Sequence, residues 1–105
     1  MCQYHENFKL GKKTDIGAFT YINAKYGVEI QDNVQIGSHC SIYSESTLDD
    51  KRGKVVIKKN ARIGAHSVIM PNVVIGEGSI VAACSFVNQD VPDGTIMGGV
   101  PVKAL

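Results

Sequence analysis

A six-residue period runs through almost the whole chain. Aliphatic residues stand at Leu10, Ile16 and Ile22, then at Ile30, Ile36, Ile42 and Leu48, and again at Ile57, Ile63, Ile69, Ile75, Val81 and Val87. Two extra residues fall between Ile22 and Ile30, and three between Leu48 and Ile57. Four positions after each aliphatic residue the side chain is mostly small: Thr14, Thr20, Val34, Cys40, Ser46, Ala61, Ser67, Val73, Ser79, Ser85 and Val91, with Tyr26 the exception. That position precedes the next aliphatic one by two, and alternate side chains of a strand point to one side. Both columns are therefore expected to face inward. Glycine or asparagine often follows the aliphatic residue directly (Gly11, Gly17, Asn23, Gly37, Gly64, Gly76, Asn88), as a turn with positive φ would require.

The repeated unit is a short strand and a tight turn. Three units close one triangular coil of about 18 residues, and stacked coils bury a continuous aliphatic column. The sequence thus predicts an all-β parallel β-helix of a little over four coils, in one domain spanning 1–105. Coils occupy about 10–92 and a closing segment 93–105. An amphipathic helix is excluded because six is no multiple of the helical period. A β-sandwich would space its strands irregularly. Ile36, Ile42, Ile63, Ile69 and Ile75 are expected inside. Val28, Val55, Val56, Val68, Val74 and Ile80 are expected outside, as apolar surface for partner copies.

Composition narrows the function classes. With 11 basic and 10 acidic residues the net charge is +1, so no field favours nucleic acid or an anionic membrane. No apolar run is long enough to span a bilayer, and the first residues do not read as a signal peptide. Three scattered cysteines, Cys2, Cys40 and Cys84, suggest a reducing, cytoplasmic setting and not a disulfide framework. His5, His39 and His66 lack metal-ligand spacing, so no metal site is expected. That spacing also argues against a γ-type carbonic anhydrase, a β-helix whose chemistry needs three zinc-binding histidines.

The run from Ile63 to Leu105 contains an exit "VNQDVP" (Val87–Pro92) and a closing "GVPVK" (Gly99–Lys103). In these motifs the chain resembles the hexapeptide-repeat acetyltransferases of the galactoside and maltose group. The resemblance implies a left-handed β-helix, a homotrimer, and acetyl-coenzyme A as co-substrate in grooves between subunits. Carried over residue by residue, Ala65 and Ala83 match backbone contacts to the coenzyme arm. Asn88 and Gln89 match a pair near the cofactor, and Lys103 matches the basic residue that meets its phosphates. Tyr21 and Asn23 match a Tyr-x-Asn that touches the sugar. The implied reaction is transfer of an acetyl group to a hydroxyl or amino group of a sugar or sugar nucleotide.

One departure stands out. The group's general base is a histidine in the loop that here reads "SIYSESTLDD", where the matching position is Thr47. Three readings follow: an amine acceptor that needs no strong base, His39 acting from the preceding corner into a neighbouring subunit's site, or a chain with weak catalysis. His66 beside Ala65 is a further candidate. A non-catalytic trimeric scaffold is the alternative class. Counting units in order, the residue two past the aliphatic position at the third corner reads Ala24, Ser44, Ala65 and Ala83, one small edge along which a slender pantetheine arm would fit.

Overall fold

The computed structural model describes residues 1–105. Its strands fall on three faces of a prism. Face one stacks Phe8–Leu10, Val28–Ile30, Val55–Ile57 and Val74–Ile75. Face two stacks Asp15–Ile16, Gln35–Ile36, Arg62–Ile63, Ile80–Val81 and Ile96–Gly98. Face three stacks Cys2–Gln3, Tyr21–Asn23, Ser41–Tyr43, Val68–Ile69 and Phe86–Val87. Pairing within each stack is parallel and brings each aliphatic position onto its counterpart one coil away: Leu10, Ile30, Ile57 and Ile75 on face one, Ile16, Ile36, Ile63 and Val81 on face two, Ile22, Ile42, Ile69 and Val87 on face three. The only helix is a single 3-10 turn at His5–Asn7. The hexads thus build the parallel β-helix that the period predicts.

The interior holds both expected columns from Thr20 and Ile22 upward, while at the lower end Leu10 is 51% exposed and Thr14 and Ile16 are only partly buried. Ile42, Ile69 and Ile75 are fully buried, and Ile36 and Ile63 nearly so. The small column is buried at Thr20, Val34, Cys40, Ala61, Ser67, Val73, Ser79, Ser85 and Val91. Its hydroxyls do not go unpaired: Thr20 donates to Gly37 O at 3.0 Å, Ser79 to Gly76 O at 2.7 Å and Ser85 to Ala82 O at 2.6 Å. Each satisfies a carbonyl where the chain rounds a corner, which offsets the cost of burying a hydroxyl. Met97 and Val102 close the upper end of the column, where Lys103–Ala104 folds back antiparallel onto Ile96–Gly98.

Five expectations need correction. Leu48 is not a coil position: Glu45–Ser46 and Lys51–Arg52 pair as an antiparallel hairpin, with Leu48 98% exposed near its tip. Ser46 consequently leaves the buried column. Val28 and Val55 are fully buried, because the three-residue strands of face one turn their first and third side chains inward and only the second, Glu29 or Val56, outward. The chain after Leu48 therefore lies one face away from where the unbroken count puts it. The small edge is real, but it reads Ala18, Ser38, Ala65 and Ala83 and lies at the corner between faces two and three; Ala24 and Ser44 are followed at their own corner by Pro71 and Gln89.

Finally, the glycines after the aliphatic residues do not supply positive φ. The left-handed residues lie two positions later, at Lys13, Phe19, Asn33, His39, Asn60, His66, Asn72 and Cys84 among others. Gly64 is needed for space: a Cβ there would lie 2.4 Å from the backbone nitrogen of Ala83 in the next coil. Gly78, by contrast, has φ +68° with nothing within 4 Å of a Cβ.

Two stability outcomes follow. Ile69→Ala, a truncation in the middle of the column, is expected to cost about 2–5 kcal/mol in denaturant unfolding. Gly64→Ala should push two coils apart and lower stability by more than Gly78→Ala, which meets only the left-handed penalty of roughly 1–2 kcal/mol; equal losses in a paired melt would contradict the close-approach explanation.

Candidate functional site

Face three carries the most chemistry. Outward from its buried aliphatic row stand Tyr21, Ser41, Val68 and Phe86, and one position past that row Asn23, Tyr43, Met70 and Asn88. The hairpin leaves the prism beside this second row. Together they enclose an open depression of about 470 Å³, lined by Tyr21, Asn23, Tyr43, Glu45, Ser46, Thr47, Leu48, Asp49, Met70 and Phe86. The hairpin wall is held by Glu45, which faces Lys25 at 3.6 Å and Arg52 at 3.6 Å, and by a 2.9 Å pair between Arg52 and Asp50.

Tyr21 and Asn23, the expected acceptor contacts, both line this depression. They are also committed locally. Tyr21 Oη donates to Gln3 Oε1 at 2.6 Å, and Asn23 Oδ1 accepts the Lys25 amide at 3.1 Å, ordering the corner that leads to face one. Thr47 lies on the same wall. Tyr43, Met70 and Phe86 were not singled out from sequence, although their place is readable: each flanks an inward aliphatic residue of the same face.

The second corner presents a ladder of rings. Phe19 and His39 have centroids 5.0 Å apart; His39 and His66 stack at 4.8 Å with planes 6° apart. Cys84 takes the same left-handed place one coil further up. That conformation belongs to the coil and not to a function, since Lys13, Asn33 and Asn60 adopt it at the first corner. All four ladder residues are exposed. Beside them runs the edge Ala18, Ser38, Ala65 and Ala83. Buried Cys40 sits behind the ladder, its thiol pushed up in pKa by desolvation, and donates to Gly64 O at 3.3 Å. It is core.

The structure divides the expected cofactor residues. Ala65 and Ala83 share the second corner. Lys103 pairs with Gly98, whose missing Cβ would lie 2.8 Å from Ala82 Cβ, so Lys103 is placed at the upper end of that same edge. Asn88 and Gln89 lie across face three at the third corner, where they line another depression with Asp50, Lys51, Arg52, Pro71, Asn72 and Val73. Gln89 Nε2 donates to Val102 O at 3.0 Å and so anchors the segment that carries Lys103. His39 and His66 likewise stand on the opposite side of face three from the Thr47 wall.

The small-residue edge thus runs along the second corner with Lys103 placed at its upper end. No group of three potential metal ligands occurs, and no helix is long and apolar enough to cross a membrane.

Comparison with known proteins agrees with this architecture. Residues 54–89 match the family model described as bacterial transferase hexapeptide (six repeats). YvoF of Bacillus subtilis (strain 168) is 33% identical over 101 residues, covering 92% of this chain and 59% of its own. A hexapeptide-repeat-containing acetyltransferase of Vibrio cholerae O1 biovar eltor, solved with acetyl coenzyme A, superposes with a TM-score of 0.93 at 32% identity, over 99% of this chain and 62% of that one. AntD, an N-acyltransferase from Bacillus cereus, superposes in one variant solved with dTDP and coenzyme A with a TM-score of 0.84 at 30% identity, over 94% of this chain and 72% of that one. The chain spans about 59% of YvoF and 62% of the Vibrio enzyme. On the repeat, the coil architecture and these likenesses, the chain belongs to the bacterial hexapeptide-repeat transferases.

Proposed function

We propose that the chain is an acetyl-coenzyme-A-dependent acyltransferase that acetylates an amino or hydroxyl group of a sugar or sugar nucleotide, working as a homotrimer in the cytoplasm. The observation that carries this is a small-residue edge along one side of face three, at Ala65 and Ala83, with a depression of about 470 Å³ along its other side. Relatives support it: AntD has been solved with dTDP-4-amino-4,6-dideoxyglucose and coenzyme A, and a galactoside acetyltransferase with coenzyme A superposes at a TM-score of 0.87 and 26% identity.

In this reading the coenzyme arm lies against Ala65 and Ala83, and Lys103 meets its phosphates. The acceptor enters the depression at Tyr21 and Asn23. One copy separates these regions by the width of face three, as it separates His39 from Thr47. A second copy packed against face three would bring the ladder edge of one chain to the depression of the other, and its apolar contribution would be Val68, Met70 and Phe86. The trimer is thus what completes the site.

Thr47 cannot serve as a general base near neutral pH, so the family's histidine mechanism does not transfer intact. We favour an amine acceptor. A neutral amine attacks the thioester carbonyl with its own lone pair; the carbon–nitrogen bond forms, the carbon–sulfur bond breaks, and the proton lost from nitrogen ends on the thiol or in solvent. The protein's tasks are then to align the reactants and stabilise the developing oxyanion. A hydroxyl acceptor would need a base, for which His39 supplied by a neighbouring copy is the candidate.

Coenzyme A at about 100 times its Kd should add about 2.7 kcal/mol of stability, and Lys103→Ala should weaken that effect without altering acceptor preference. An unshifted melting curve would point to the scaffold alternative. Turnover separates the two mechanisms. With an amino sugar, activity should rise with pH as the substrate amine deprotonates, and His39→Ala and His66→Ala should each keep most of it. With the matching hydroxy sugar, losing the operative histidine should cost on the order of 10²–10⁴ in kcat. A loss of that size in His39→Ala with the amino sugar would overturn the base-free version.

A further inference from the structure

Phe19 stands at φ 64°, in the left-handed region. The coil dictates that conformation; what needs explaining is the residue placed in it. Asn33, Asn60 and Asn72 take it at other corners, and asparagine does so at little steric cost, whereas a bulky aromatic side chain does not. Burial does not offset the cost, because Phe19 is 79% exposed and its ring leans on His39 with centroids 5.0 Å apart.

Its height along the prism is the second observation. An extended pantetheine arm spans about 14 Å from phosphate to sulfur, the length of roughly four extended residues with the same number of bonds. That equals about three coil spacings of roughly 4.8 Å. Counted down from the coil of Gly98, with which Lys103 pairs, the sulfur passes Ala83 and Ala65 and arrives beside Ser38 and His39. The acyl group projects beyond the sulfur toward the lowest coil, where the ladder presents Phe19. Tyr21 and Asn23, the residues assigned to the acceptor, belong to that same coil. Copies related by a three-fold axis along the prism hold equal coils at equal heights. The thioester of one copy and the acceptor of the next therefore arrive at one level. Asp15–Ile16 is the outermost strand of face two, so the edge opens just below Phe19.

We propose that Phe19 is the specificity residue for the donor: its ring is the apolar wall against which the acyl group lies, and the open edge beneath admits short unbranched acyl groups longer than acetyl. This rests on the acyltransferase reading above but concerns the thioester substrate, whatever the acceptor is. The coenzyme itself is held higher, by Ala65, Ala83 and Lys103, so Phe19 acts on the acyl group alone. Covering one methylene against an apolar wall tightens binding about fourfold when complete and about twofold when half complete.

The test is calorimetric titration of the full chain, without acceptor, using coenzyme A and its acetyl, propionyl and butyryl thioesters. Affinity should rise about two- to fourfold for each carbon added from acetyl to butyryl. Phe19→Asn, which suits the left-handed corner, should flatten that gradient to near unity and leave the binding of free coenzyme A unchanged. Phe19→Tyr keeps the ring and should keep the gradient. A flat series in the unaltered chain, or a gradient that survives Phe19→Asn, would overturn the proposal. So would a loss in Phe19→Asn shared equally by free coenzyme A, which would mark Phe19 as an assembly contact. If free coenzyme A binds and acetyl transfer proceeds while the series is flat, the acyltransferase reading stands and the role of Phe19 falls. If no coenzyme A species binds, that reading fails and the proposal with it.

Discussion

The spacing between successive coils governs this molecule. Parallel strands pair only when backbones lie about 4.8 Å apart, and here that spacing must hold around corners as well as along faces. Gly37 N donates to Ile63 O at 2.8 Å and Gly64 N to Val81 O at 2.8 Å, each at a point where the chain begins its turn. Any Cβ there would press into the next coil's backbone. At these two corners glycine lets the chain turn in contact with the next coil, and the stacking leaves room inside for one branched aliphatic side chain and one small one per unit. The buried column then follows, because no larger residue fits at the small position and no polar one fits unpaired. The serine and threonine hydroxyls that do appear there turn back onto corner carbonyls.

The same geometry makes the functional surface. A stacked coil repeats every side-chain position along the prism axis, so a choice made at one place in the hexad becomes a stripe. Small residues two past the aliphatic position of face two become a smooth edge. Residues one further on become the Phe19, His39 and His66 ladder, whose rings are brought to stacking distance by coil spacing alone. Outward aromatics of face three become the floor of a depression. The hairpin at Glu45–Arg52 interrupts the stripes, and a depression with a wall forms beside it.

Much of this was legible in the sequence. Hexad counting identified the β-helix and its interior from Ile16 to Val87, since aliphatic spacing reports directly on burial. It failed at Leu48, where an aliphatic residue happened to fall six after Ile42 but stands on a hairpin in solvent. Periodicity cannot distinguish a coil position from a coincidence of one, and that slip moved Ala65 and Ala83 onto the wrong edge beside Ala24 and Ser44. It also misread the glycines, because a tight turn and a tight approach leave the same residue in the sequence. The resemblance placed Tyr21, Asn23 and Thr47 in one region, and the structure gathers them around one depression. It could not indicate that Glu45 would stand there held by Lys25 and Arg52, since the first contact joins a corner to the hairpin from the previous coil and the second exists only because the hairpin pairs Glu45 with Arg52. The separation of Asn88 and Gln89 from Ala65 and Ala83 was likewise invisible until the faces were assigned.

The central claim is that one chain carries two halves of a site that a second copy joins. The most direct measurement is a crystal structure of the chain grown with coenzyme A. The account predicts a three-fold assembly with the pantetheine arm along Ala65 and Ala83 of one copy, facing the depression at Tyr21 and Thr47 of its neighbour. Coenzyme A bound wholly within one copy, or on a face remote from that edge, would contradict it.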